Sequence, residues 1–232
     1  MAKAKPVLPL PPRGARPRAR KAVERLKTEY PAVTELDHQN PWQLVVATIL
    51  SAQTTDKTVN LVTPKLFSRY PTPADLAAAD PAEVEVILKP TGFFRAKTRA
   101  IIRCARDLVA RFNGEVPRRL DELVTLQGIG RKTANVILSV GFGVPGFAVD
   151  THVKRLTNRL GLVSTTDPAK IEKQVTKMIP RQEWGGFSLR LILHGRRVCV
   201  ARRPKCEQCL LNDFCPSSTV RPKPRAKTKH LF

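Results

Sequence analysis

Acidic residues are scarce in this 232-residue chain: 19 Asp and Glu stand against 41 Lys and Arg, for a formal charge of +22. So concentrated a positive field attracts polyanions before any specific contact forms, which points to phosphate backbones or anionic membrane surfaces as partners. Long apolar runs are also missing. No window approaches the ~20 apolar residues needed to span a bilayer, and the richest, Leu44 to Leu50, suits a buried helix. A secretory leader is not readable either, because its best candidate, Val7 to Leu10, is broken by Pro9 and followed by Pro11 and Pro12. The same prolines oppose the amphipathic helix of an organellar transit peptide, so the expected place is the cytoplasm, at the nucleoid. Strand-like alternation, a fixed-period repeat and a sustained heptad are all lacking, which excludes sheet-based folds, solenoids and coiled coils.

The charge is unevenly spread. Residues 1–21 carry seven cations and no acid, residues 216–232 carry five more, and removing these twelve from +22 still leaves +10 on residues 22–215. Eight of the 20 prolines also fall in the two ends. Such sequence buries too little surface to offset the entropy of ordering, so residues 1–21 and 217–232 read as disordered basic arms. An apolar share of 42% over the whole chain supports a real core between them. Apolar residues recur at helical spacing, as in Ile101, Ile102, Ala105, Leu108, Val109 and Phe112. Pro and Gly punctuation divides the stretch into about nine or ten helices of roughly 8–18 residues. Acids and prolines in the first turns after Pro73, Pro81 and Asp167-Pro168 mark helix starts. The fold class is all-α.

Four of the five cysteines, Cys199, Cys206, Cys209 and Cys215, form the pattern C-x6-C-x2-C-x5-C within 17 residues. With cytosolic thiols kept reduced, a disulfide framework gives way to four thiolates around a metal centre. Spacing alone leaves zinc and a [4Fe-4S] cluster both open. Arg202, Arg203 and Lys205 project from the loop between the first two cysteines, and anchoring both loop ends would make them a rigid phosphate clamp. Cys104 stands apart and reads as core.

Leu126-Gln127-Gly128-Ile129-Gly130-Arg131-Lys132 places two glycines one residue apart before a helix expected from about Arg131 to Ser139. Outward N–H groups and the helix dipole could hold a DNA phosphate there, although Gly-x-Gly equally marks a plain helix-to-helix turn. Lys132, in the first turn, is a candidate amine nucleophile or a phosphate-binding lysine. Eighteen residues on, Asp150 is placed to cap a helix from Thr151 to about Leu160, a role compatible with catalysis.

The segments LQGIGRKTAN, VDTHVKR and LILHGR, followed by C-x6-C-x2-C-x5-C and preceded by Leu50-Ser51-Ala52-Gln53-Thr54-Thr55-Asp56, resemble endonuclease III in order and distance over about residues 22–216. The resemblance implies a bifunctional DNA glycosylase and AP lyase acting on damaged or abasic duplex DNA, monomeric, with oxidised pyrimidines the expected lesions. It implies an all-helical, two-domain bilobal helix-hairpin-helix fold: a six-helix barrel over residues 41–134, and an iron-sulfur domain from residues 22–40 and 135–216. It also turns the metal choice to [4Fe-4S]. Carried over by residue, Lys132 would attack C1′ and form a Schiff base, Asp150 would assist it, and the four cysteines would hold the cluster. Gln53 would fill the hole left by the flipped nucleotide, and Phe93, where some relatives carry Leu, would be the apolar wedge unless it is simply core. Gly128, Gly130, Arg131, Arg202, Arg203 and Lys205 would face DNA phosphates. A mismatch adenine glycosylase, which shares the fold and acts without the lysine, is opposed by Lys132; a non-catalytic DNA-binding relative is the reading from another class.

Overall fold

The computed structural model describes residues 10–220, and every regular element among them is helical. In chain order these are α1 (Ala15–Glu29), α2 (Pro41–Leu50), α3 (Asp56–Arg69), α4 (Pro73–Ala77), α5 (Pro81–Leu88), α6 (Phe94–Phe112), α7 (Leu120–Leu123), α8 (Arg131–Val136), α9 (Thr151–Arg159), α10 (Pro168–Thr176) and α11 (Trp184–Arg197). The starts follow from local chemistry. Asn40, Thr72, Asp80 and Asp167 cap α2, α4, α5 and α10 with side-chain oxygens that accept backbone N–H groups, and a proline with pre-set φ follows each. Thr72 and Asp75 close a reciprocal capping box. Several elements are shorter than the sequence suggests: α4, α7 and α8 run only a turn or so before the chain bends.

The described chain divides into two compact units. One comprises residues 10–30, 149–180 and 190–220; the other comprises 31–148 and 181–189. The second is built on a single contiguous core drawn from α2 to α8, including Leu50, Leu66, Leu88, Ile101, Leu108 and Ile137. Cys104 is part of it, fully buried, with burial pushing its thiol up to about 12. The expected boundaries at 40/41 and 134/135 therefore shift to 30/31 and 148/149. The reason is that the helix after the hairpin does not stop: α8 runs into a π-helical turn, Ile137–Gly141, and the chain after it folds back so that Gly146 lies against Asn135. A single helix to Ser139 was the expectation.

In the first unit, α1 corrects the reading of residues 1–21 as an arm. Ala15, Ala19, Ala22, Val23 and Leu26 form one buried stripe at helical spacing, and Arg18, at the edge of that stripe, donates to the Leu160 and Gly161 carbonyls. Lys21 and Arg25 bind the Asp213 carboxylate and lie over the Phe214 ring. Residues 217–220 likewise make turn hydrogen bonds, Ser218 N–H to the Cys215 carbonyl and Val220 N–H to Ser218 Oγ. Residues 1–9 and 221–232, the rest of the expected arms, lie outside the described residues.

Candidate active site and thiol cluster

The glycine hairpin is a tight turn. Ile129 N–H donates to the Leu126 carbonyl, and Gly128 has φ +81°, a conformation that excludes most side chains, although a Cβ there would make only ordinary contact with Ile49 and Ala100 at 3.4–3.5 Å. Gly130 differs: it caps α8 in extended backbone (φ −87°, ψ 174°), with open space where a Cβ would sit and no side-chain cap bond. The start of α8 is thus left clear, with Arg131 and Lys132 exposed in its first turn.

Asp150 is half-buried at the N-terminus of α9, where its Oδ1 accepts the Val153 N–H at 2.8 Å. No hydrogen bond to its other oxygen occurs among the described residues. The same helix grips the cysteine segment. Arg155 donates to the Cys199 and Gly195 carbonyls at 2.9–3.2 Å; Arg159 donates to the Val200 and Ala201 carbonyls at 2.8 Å and reaches Cys199 Sγ at 3.4 Å. The sequence reading missed both arginines, though their four-residue spacing on a helix puts them on one face.

Cys199, Cys206, Cys209 and Cys215 line one small cavity, together with Arg159, Lys205 and Asn212. All four thiols are free, and among the described residues no three His, Cys, Asp or Glu gather as they would for one bare metal ion. Burial pushes the Cys209 thiol up to about 11, and the other three cysteines push it the same way. The Leu211 N–H donates to this sulfur at 3.4 Å, and His194 Nε2 lies 3.3 Å from it, with His194 Nδ1 3.1 Å from the Tyr30 hydroxyl. His194 is 1% exposed, and burial lowers its pKa to about 4, which keeps the ring neutral at pH 7. A cavity walled by four sulfurs, with N–H groups aimed at two of them, suits a thiolate-held inorganic cluster. The loop cations Arg202, Arg203 and Lys205 are exposed, and Arg203 holds a left-handed φ of 54°.

Gln53, Phe93 and Gly128 line a single open pocket of about 330 Å3, with Ile49, Ala52, Ala96, Lys97 and Ala100. Phe93 is 69% exposed while Phe94 packs on the core, so the alternative that both phenylalanines are core fails for Phe93. Lys97 was not foreseen. It sits on the apolar face of α6, 5% exposed, where burial depresses its pKa and its Nζ donates to the Thr91 carbonyl at 2.8 Å. Its register with Ile101, Leu108 and Ala105 is the signal that could have found it.

Residues 46–181 match the family described as HhH-GPD superfamily base excision DNA repair protein, and residues 199–215 match the iron-sulfur binding domain of endonuclease III. The chain is 52% identical over 203 residues to endonuclease III of Synechocystis sp., covering 87% of this chain and 93% of that one. This chain belongs to the endonuclease III family. Endonuclease III of Escherichia coli K12 is 39% identical over 83% of this chain and 92% of its own. Two solved structures, a non-covalent endonuclease III–DNA complex and a trapped endonuclease III–DNA covalent intermediate, each superpose with a TM-score of 0.82 at 43% identity, covering 87% of this chain and 95% and 96% of theirs. A thermostable thymine-DNA glycosylase at 21% identity and TM-score 0.78 shares the fold. The cofactor of this chain is a [4Fe-4S] cluster.

Proposed function

We propose that this chain is a base-excision DNA glycosylase and AP lyase that removes oxidised pyrimidines from duplex DNA and cuts the resulting abasic site, working as a monomer at the nucleoid. The observation that carries the proposal is Lys132: an exposed amine in the first turn of the uncapped helix that follows the glycine hairpin, in a chain of the endonuclease III family. Its lone pair forms a bond to C1′ as the glycosidic bond breaks and the base leaves with the electron pair and a proton. Opening of the sugar ring gives a lysine Schiff base, which acidifies C2′; loss of that proton and departure of the 3′ phosphate complete β-elimination. Asp150, half-buried with one oxygen uncommitted, stabilises the positive charge that develops on the sugar and moves protons during base loss.

A base inside a duplex is out of reach, so the target nucleotide is extruded and its place filled. Gln53 fills it and Phe93 wedges between bases, supported by their shared pocket and exposure. Gly128, Gly130 and Arg131 hold one phosphate through the hairpin, and Arg202, Arg203 and Lys205 hold others. Cys199, Cys206, Cys209 and Cys215 hold the cluster, which when bound supplies a rigid anchor for that cationic loop. Neither glycosidic cleavage nor elimination passes electrons to an acceptor. Among the described residues no helix is long and apolar enough to cross a membrane.

The holoenzyme should cut duplexes containing thymine glycol or an abasic site and form a borohydride-trapped adduct with both. Lys132→Gln should fold normally and give no adduct; trapping that survives it refutes the nucleophile, and binding without cutting by the unaltered protein refutes the enzyme.

A further inference from the structure

Gln53 and Phe93 lie forty positions apart in the chain, yet one backbone carbonyl serves both turns that carry them. Thr91 O accepts the Thr54 hydroxyl at 2.5 Å and the Lys97 ammonium at 2.8 Å. Thr54 directly follows Gln53; Thr91 precedes Phe93 by two residues. Both exposed side chains ride on left-handed backbone, φ 53° at Gln53 and φ 47° at Phe93, a region that residues with a Cβ occupy only when their surroundings impose it. The imposed hold is visible on the Phe93 side: its carbonyl accepts the N–H groups of Ala96 and Lys97 at 3.0 and 3.1 Å, and the Thr91 hydroxyl donates to the Leu88 carbonyl at 2.8 Å.

A lysine is an expensive choice for position 97. Its neighbours on that face of α6, Thr98, Ile101, Ile102 and Ala105, are buried, and an unbranched apolar residue would pack there without the cost of removing an ammonium from water. Stability alone therefore does not account for the charge. What the charge adds is a strong donor to the Thr91 carbonyl at the wall of the pocket that Gln53 and Phe93 share.

We propose that Lys97 is a positioning residue: its ammonium and the Thr54 hydroxyl, converging on the Thr91 carbonyl, lock the Gln53 turn and the Phe93 turn into one two-pronged element that enters duplex DNA as a unit. The proposal rests on the reading that Gln53 and Phe93 enter the DNA stack. It differs from a packing role in a measurable way, since the lock is used when the prongs enter DNA and not when the chain folds.

The test uses the full-length holoenzyme and a duplex carrying a tetrahydrofuran abasic analogue opposite 2-aminopurine, which reports both affinity and unstacking. Lys97→Met keeps the length and packing of the side chain. It should leave the melting temperature unchanged or raised, weaken binding about tenfold and reduce the fluorescence rise; Thr54→Val should do the same more weakly. In a Gln53→Ala, Phe93→Ala background neither change should cost anything further. The lock is overturned if Lys97→Met leaves binding and fluorescence as they were, or costs the same factor with the two prongs removed. Should Lys97→Met not yield folded holoenzyme, Thr54→Val in the two backgrounds decides the matter by the same criterion. If Gln53→Ala and Phe93→Ala themselves change nothing, the insertion reading fails and the lock falls with it.

Discussion

Two substitutions separate the observed cap role of Asp150 from the catalytic role proposed for it. Its Oδ1 caps α9 through the Val153 N–H at 2.8 Å, and its charge is assigned to the developing cation on the sugar. Asn caps a helix about as well as Asp, so Asp150→Asn keeps the cap and forfeits only the charge–dipole contribution, about 0.5 kcal/mol. Asp150→Ala removes the cap as well, for a total of about 1–2 kcal/mol. In a chain of this size 1 kcal/mol moves the unfolding midpoint by about 2–4 °C, so the Asn variant should melt within about 2 °C of the parent and the Ala variant about 2–8 °C lower. Loss of the carboxylate should cost both variants the same factor in chemistry, about 10²–10⁴. Single-turnover cleavage of a thymine glycol duplex, read beside thermal unfolding by circular dichroism, tests this. If Asp150→Asn cleaves at the parent rate, or if activity follows the melting temperatures so that only the Ala variant is impaired, Asp150 is a cap and nothing more.

The remaining predictions concern stability. Gly146→Ala would set a Cβ 2.7 Å from the Asn135 carbonyl oxygen and 2.9 Å from its Oδ1, with backbone on one side and a buried amide on the other. Overpacking of that kind costs about 1–3 kcal/mol, so the midpoint should fall by about 2–12 °C, whereas Gly130→Ala, with open space around its Cβ, should stay within about 1 °C. An unchanged midpoint for Gly146→Ala would refute the close approach that keeps residues 135–148 in the second unit. Asp213 is held near pKa 2, chiefly by the Arg25 guanidinium and then by Lys21. A depressed folded pKa stabilises above the unfolded value of about 3.9 and loses that contribution as pH falls towards 2. The carboxylate is nearly half exposed, which limits the gain to at most about 1 kcal/mol. Denaturant unfolding should therefore show Asp213→Asn less stable than the parent at pH 6, with the gap closing below about pH 4; a gap independent of pH removes the ion pair as its cause.

Helix starts were the most legible part of the fold because their cause is local. Thr72-Pro73, Asp80-Pro81 and Asp167-Pro168 each contain the capping oxygen and the pre-set φ within two residues, and α4, α5 and α10 begin there. Helix ends were less legible. The passage from α8 into the π turn at Ile137 has no Gly or Pro beside it in the sequence to announce it. The start of α1 was hidden for another reason: prolines and arginines dominate the composition of residues 1–21, yet a helix begins at Ala15, where a small-residue stripe is buried and Arg18 finds the carbonyls of Leu160 and Gly161, more than 140 positions away.

The candidate site divides along the same line. Lys132, Asp150, Gln53, Phe93 and the four cysteines, the residues proposed to act on DNA or hold the cluster, fall in or beside short motifs of fixed spacing, and the resemblance to endonuclease III carried by those motifs is what made them legible. The groups that hold them leave none. Arg155 and Arg159 reach Cys199 from forty or more positions away, Tyr30 lies 164 positions before the His194 it meets, and Lys97 serves a carbonyl that exists as an acceptor only once two turns have met. Each of these is a charged or polar side chain whose type alone indicates solvent. What places it inside is an acceptor or donor supplied by another element, and the cost of burying it is met only in the finished fold. Supporting residues of this kind are therefore recognised by their burial against type, as Lys97 and His194 are, and it is their substitution, more than that of the exposed reagents, that should alter geometry while leaving the reacting groups in place.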